Sequence, residues 1–255
     1  MRLRSCLVCL ALCFAAVLPA GAQEIRDGGA LLTAMHDRYK DTWYESVVFK
    51  ENAITIQPDG TSKTEVWDEA LLLPGKLRIN IGPSSERNGL IFDNNTLTRF
   101  QKGKSLGTQH YVHMLLVLGF DVYRQDASKT IEEAKIEGFD LSQIHEEHWD
   151  GEDCFVVGAA KGDLKSKQFW VEKKRLLFVR LIQPDSRDAS KIEDNRFKGY
   201  QKLEKGWISA RVEFYTDGKN RFNEDYFDIS ATAKVDPALF DPKKFPETSI
   251  SWGAK

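Results

Sequence analysis

Apolar residues recur along this chain with two different periods. From Ser46 to Lys102, and again from Leu141 to Ile229, they alternate with polar ones, so every second side chain falls on the same face of a strand. The stretch LLLPGKLRINIG, residues 71–82, shows it most plainly. A hydrophobic run stops at Pro74-Gly75, and Leu77, Ile79 and Ile81 then oppose Lys76, Arg78 and Asn80. The pattern predicts five strands in the first block: 46–57, 64–73, 76–81, 89–93 and 96–102. It predicts seven in the second: 141–149, 152–160, 167–172, 176–183, 196–203, 207–216 and 221–229. Pro58-Asp59-Gly60, Pro74-Gly75, Asn94-Asn95, Asp150-Gly151, Lys205-Gly206 and Asp217-Gly218 supply the turn residues that join antiparallel neighbours.

Three segments carry the helical period instead. Leu31, Leu32, Met35 and Tyr39 predict an amphipathic helix with Asp27 as its cap. TQHYVHMLLVLG predicts a helix over 109–118, capped by Thr108 and stopped by Gly119, with Tyr111, Met114, Leu115 and Leu118 on one face. TIEEAKIEG follows, with Thr130 and Glu133 as a capping box and Gly138 as its end. The tail KVDPALFDPKKF is expected to fold over an end of the sheet through Leu239, Phe240 and Phe245. So the expected class is mainly β with a few helices. A long antiparallel sheet curls, its concave face is apolar, and three short helices cover that face only in part, leaving a cleft.

The start of the chain stands outside this pattern. MRLRSCLVCLALCFAAVLPAGA has Arg2 and Arg4, roughly a dozen apolar residues and an Ala20-Gly21-Ala22 exit, the layout of a secretory signal cleaved after Ala22. Leu12 is too bulky to precede a lipidated Cys13. Cys6, Cys9 and Cys13 would leave with the signal, so Cys154 would have no partner for a disulfide. The signal also takes two arginines and no acid, which changes 36 basic against 38 acidic residues to 34 against 38. That balance carries no electrostatic footprint for nucleic acid. No repeat, low-complexity tract or linker divides residues 23–255, and a single domain is expected there.

Several motifs suggest chemistry that their surroundings do not support. Gly103-Lys104-Ser105-Leu106-Gly107 spells the nucleophile-elbow pattern, but hairpins flank it where a hydrolase needs parallel strands, so it reads as a strand-to-helix turn. Thr98 stands where a phosphate-binding loop needs its first glycine. His145-Glu146-Glu147-His148, on a strand, sends its two histidines to opposite faces, and His110 and His113 lack a third ligand. No metal, no cofactor and no catalytic residue is expected, and the protein is not expected to be an enzyme.

The order of segments resembles a known family. W…LPGKLRI, NGLIFDNNTL, a mid-chain helical excursion, FWVEKKRLLFVRL, YTDGK and DYFDISATAKVDPALFDP are together similar to the outer-membrane lipoprotein carrier (LolA/LolB-like) superfamily, specifically its uncharacterised periplasmic branch. The resemblance implies a periplasmic carrier whose incomplete antiparallel β-barrel, covered by lid helices, holds lipid or lipoprotein acyl chains in a hydrophobic cavity. It also implies partner proteins at the inner or outer membrane, and a monomer is expected. A related fold serves as an envelope regulatory module that binds a membrane-anchored partner, which is the alternative. Leu77, Ile79, Ile81, Leu90, Phe92, Phe169, Val171, Val212 and Phe214 are expected to line the inner face, with Leu115 and Leu118 meeting them from the lid. In the carrier a strand arginine holds the lid closed. Arg78 is the nearest match, and from the polar side of its strand it either latches the helices or faces solvent. The chain departs from the carrier in length and in its mid-chain helices, and shows no exposed hydrophobic receptor loop.

Overall fold

The alternating segments form fifteen strands among residues 24–252, the part of the chain that the computed structural model describes. The expected signal, residues 1–22, lies outside the described residues. After helix α1 (Gly28–Tyr39), an antiparallel meander steps outward through β1 (Ser46–Ile56), β2 (Ser62–Leu72), β3 (Lys76–Ile81), β4 (Asn88–Asp93), β5 (Thr96–Gln101) and β6 (Lys104–His110). The chain then crosses to the far edge through α2 (Met114–Gly119) and α3 (Ala127–Ile136). From there it steps back through β7 (Ile144–Trp149), β8 (Glu152–Val157), β9 (Gln168–Glu172), β10 (Leu177–Pro184), β11 (Ile192–Lys198), β14 (Arg211–Thr216) and β15 (Lys219–Ser230). β15 pairs with β1, so the two meanders join in the middle of one 13-stranded sheet. Its edges, β6 and β7, do not meet: the sheet is an incomplete barrel.

Several boundaries differ from the sequence expectation: the predicted strand 196–203 falls into Ile192–Lys198 and Gln201–Leu203, the predicted strand 141–149 starts at Ile144, and three further differences have a visible cause. Thr108 is not a helix cap, because residues 104–110 pair with β5 and the Thr98 and Thr108 hydroxyls lie 2.7 Å apart across that ladder. Cross-strand pairing overrides the helical spacing, and α2 starts only at Met114. The segment predicted as strand 207–216 is split. The Ser209 hydroxyl donates to the Arg211 carbonyl at 2.6 Å, with the Lys198 carbonyl at 2.9 Å as the alternative acceptor, and accepts the Lys198 N–H, taking the place of ladder bonds. The two halves are β13 (Gly206–Ile208), which pairs with β12 (Gln201–Leu203), and β14. Thr130 and Glu133 do not cap α3 but lie buried inside it, sharing the Gln125 amide at 2.8 Å each.

Both faces of the sheet are covered. On the concave face α1 is capped by Asp27, whose carboxylate accepts the Ala30 N–H at 2.7 Å, and buries Leu31, Leu32, Met35 and Tyr39. Each such burial contributes about 1.5–3 kcal/mol. Gly28 approaches so closely that a Cβ there would come within 2.6 Å of Val157. On the convex face the C-terminal segment crosses β3, β4 and β5, burying Leu239, Phe240 and Phe245 against Val48, Ala70, Ile91 and Phe100. Among the described residues no helix is long and apolar enough to cross a membrane.

Candidate binding cavity

The site is built from the strand register. β3 places Leu77 and Ile79 on the concave face, opposite Phe92 and Leu90 of β4. β14 contributes Val212 and Phe214 from the other side of β1 and β15. Above them lies the short α2, with Leu115 and Leu116, followed by Phe120. These side chains enclose a cavity of about 210 Å³. His113, Leu115 and Phe214 also border a wider groove of about 720 Å³, which runs out between the α2 entry and the ends of β10, β11 and β14.

Seven of the expected lining residues therefore come together: Leu77, Ile79, Leu90, Phe92, Val212, Phe214 and Leu115. Ile81 sits at the end of β3, half-buried and outside the lining. Phe169 and Val171 are on the concave face, but there the helical layer fills the space. Phe139 meets Phe169 edge-on at 5.5 Å between ring centres, and neither Phe169 nor Val171 has any exposed surface. Leu118 is likewise fully buried in that packing and does not face the cavity.

Arg78 points the other way. It lies on the convex face with Ala70 and Ile91 beside it, and its partners are in the C-terminal segment. Its guanidinium donates to the Thr248 hydroxyl (2.6 Å), the Thr248 carbonyl (2.8 Å), the Leu239 carbonyl (3.2 Å) and Asn80 Oδ1 (2.9 Å), and stacks 4.6 Å from the Phe245 ring. So it fastens the tail rather than the helices. The contact from α2 to the strands is made by another residue. Asp121, buried just after α2, accepts the Gly75 N–H at 2.9 Å and so ties the Pro74-Gly75 turn to the α2 segment. Burial pushes this carboxyl up to about 7 against the opposing Gly75 bond.

The lining also holds polar groups that hydrophobic alternation did not reveal. Glu69 and Glu224 border the cavity beside Trp67 and Tyr226, and Glu51 lies buried on the same concave face of β1. Burial pushes all three carboxyls above the usual range. The Glu224 charge raises Glu51 and Glu69 further, while the Tyr226 hydroxyl, donating to Glu224 at 2.9 Å, partly restrains Glu224. His113, edge-on to Phe92 at 4.6 Å, is pushed down to about 4 by burial. A sequence signal existed for the acids: Phe49-x-Glu51-x-Ala53, Trp67-x-Glu69-x-Leu71 and Phe222-x-Glu224-x-Tyr226 each set a glutamate between two apolar neighbours of one face.

The remaining motif residues are placed elsewhere. Ser105 is on the exposed edge strand β6, not at a strand-to-helix turn, and its Oγ accepts the Gly107 N–H at 3.1 Å. His145 lies 3.7 Å from Glu147, and His148 is 3.0 Å from Asp153. Among the described residues no three His, Cys, Asp or Glu side chains converge as metal ligands.

No protein-family model matches the sequence, and no curated protein does. Solved structures do. A DUF1329 family protein from Desulfovibrio piger superposes with a TM-score of 0.55 at 16% identity, covering 84% of this chain and 95% of that one. A LolA superfamily protein from Nitrosomonas europaea superposes with a TM-score of 0.50 at 14% identity, over 81% of this chain and 96% of that one. This chain has a LolA/LolB-like fold. Within that fold, the open sheet supplies the concave wall and α2 the cover, and the cavity lies between α2 and strands β2–β4, β11, β14 and β15.

Proposed function

We infer that the protein is a non-enzymatic periplasmic carrier that holds a lipid or lipoprotein acyl chain in the cavity under α2. The observation that carries this reading is the convergence of Leu77, Ile79, Leu90, Phe92, Val212, Phe214 and Leu115 around one hollow that opens to a groove. Burying an alkyl chain there yields about 0.8 kcal/mol per methylene, so eight methylenes contribute about 6 kcal/mol before any polar contact. Loading requires α2 to lift. The helix has six residues, five of them buried, and Asp121 just after it is bonded to Gly75, so lifting it exposes apolar surface that the bound chain must compensate. Export by residues 1–22 as a cleaved signal, and hand-over to a partner at a membrane, complete the reading.

The test is native mass spectrometry of protein purified gently from the periplasm, followed by organic extraction and lipid analysis. A stoichiometric acyl-bearing adduct is the expected result. A clean apo mass, with no uptake of a neutral fluorescent alkyl probe, overturns the carrier and favours an envelope module that binds a membrane-anchored protein.

A further inference from the structure

The middle of the concave face holds three glutamates on three adjacent strands. Glu51 of β1 stands opposite Trp67 of β2 and Tyr226 of β15. Phe49 stands opposite Glu69, and Ala53 opposite Glu224. The three carboxyls thus share one patch of the inner surface, with Glu69 and Glu224 lining the cavity. Glu51 has no exposed surface, and neither of its carboxylate oxygens has a hydrogen-bond partner. Unpaired oxygens at such depth are rare, because a buried acceptor left unmatched is costly.

Among the described residues no cation is paired with the patch: Lys63 of β2 is bonded to Glu65 at 2.6 Å, and Arg221 of β15 lines the outer groove and not the cavity. Lys50 lies 3.3 Å from Asp68, and Arg211 is bonded to Asp225. On the neighbouring strands Arg180 and Arg196 share Asp194 at 2.8 Å and 2.7 Å. The concave side therefore presents carboxyls without counter-charge, beside an apolar cavity and flanked by aromatic rings. Trp67 packs 5.6 Å from Phe222, and Phe49 packs 4.3 Å from Tyr226.

We propose that the cavity takes an amphiphile whose polar end is a protonated amine: the alkyl body packs against Leu77, Leu90, Phe92 and Leu115, and the ammonium sits against Glu69 and Glu224, beside the buried Glu51. This rests on reading the cavity as a chain-binding site. An ammonium carries up to three N–H donors and one positive charge, matching carboxyl oxygens that accept, and its charge favours release of the protons that burial holds on them. The faces of Trp67 and Tyr226 favour a cation as well. A ligand headed by a carboxylate or a phosphate would bury its charge in a lining that holds no Lys or Arg to compensate it, and is disfavoured. A metal ion fits less well, because the three carboxyls are spread over three strands and do not converge as ligands. Burial and mutual repulsion make ionisation of these groups costly in the empty cavity, and an ammonium removes that cost.

The experiment is calorimetric titration of the delipidated protein at pH 7.5 with dodecylamine, dodecanol and dodecanoate, the alcohol below its solubility limit and the two ionic ligands below their critical micelle concentrations. Dodecylamine is expected to bind at least tenfold more tightly than dodecanol, with dodecanoate weaker than both. In the Glu69→Gln/Glu224→Gln variant the amine-to-alcohol ratio should collapse to within about twofold of one. Equal binding of amine and alcohol by the unsubstituted protein, or an unchanged ratio in the variant, overturns the amine while leaving chain binding intact. Absence of binding for all three overturns chain binding and the amine with it. The comparison of the three ligands on the unsubstituted protein decides the matter even if the double variant does not fold.

Discussion

The two wings of the concave face are made of the same material and end differently. Around β8, β9 and β10, inner residues such as Val157, Phe169 and Val171 meet α1 and Phe139 with no space between. Around β3, β4 and β14 the equivalent residues Leu77, Leu90, Phe92 and Phe214 meet α2 across a hollow. A ten- or twelve-residue helix fills its wing, and a six-residue helix does not fill the other. Strand alternation tells which side is inner. The length of what lies above decides whether that side becomes core or cavity.

This contrast can be broken most directly by truncation in the filled wing. Phe169→Ala should cost about 4 kcal/mol in urea unfolding, because the surrounding packing cannot collapse into the space. Leu90→Ala, beside an existing hollow, should cost under about 1 kcal/mol. Equal costs would show that the wings do not differ.

The pH dependence gives the next largest effect. A carboxyl whose pKa is higher in the folded state keeps a proton that the unfolded chain has released. Stability is then full below the unfolded value and is lost as pH rises to the folded one. For Asp121 that window runs from 3.8 to about 7, and Glu51, Glu69 and Glu224 act in the same direction. His113, brought from 6.5 down to about 4, opposes them as pH falls. Four acids outweigh one imidazole, so stability measured by urea should be higher at pH 5.5 than at pH 7.5 by at least about 2 kcal/mol. Glu224→Gln should shrink the difference. A stability that instead rises over this range would remove the buried acids from the hollow wing.

Arg78→Met tests the convex side. Losing the tail's hydrogen bonds and the Phe245 contact should cost about 2 kcal/mol and expose the C-terminal segment to limited proteolysis. Retention of an alkyl probe should not change; a loss of retention would return Arg78 to the role of lid latch. The smallest effect on stability is expected for Leu115→Glu, under about 1 kcal/mol for a half-buried residue at the cavity rim. Its probe retention should nevertheless fall at least tenfold, and unchanged retention would take α2 out of the lid.

Much of this could be read from the chain because alternation and turn residues act locally. The Pro74-Gly75 turn, the β3 alternation and the apolar tail residues all have local signatures. The start of α2 does not: Thr108 to His110 fit a helix by spacing, and only pairing with β5, a partner not visible in the segment itself, makes them strand. The face that Arg78 serves depends on a tail 170 residues away. Phe169 and Leu118 have the same pattern as Leu77 and Leu115, and only the three-dimensional filling tells core from cavity. The three glutamates were overlooked for the opposite reason, since each is conspicuous only when the apolar residues two positions either side are read with it.

The union of β1 with β15 has a consequence for the order in which the molecule can be completed. These two strands are the first and the last of the sheet, and partners such as Val48 and Ser230 are made almost a whole chain apart. Each meander can fold from local hairpins as it emerges, but the central ladder requires slow, long-range closure. The cavity lining is divided between the two halves, with Glu69, Leu77 and Phe92 on the early one and Val212, Phe214 and Glu224 on the late one. A growing chain therefore has no finished pocket in which to trap a greasy molecule. The hollow is complete only when the final strand is in place.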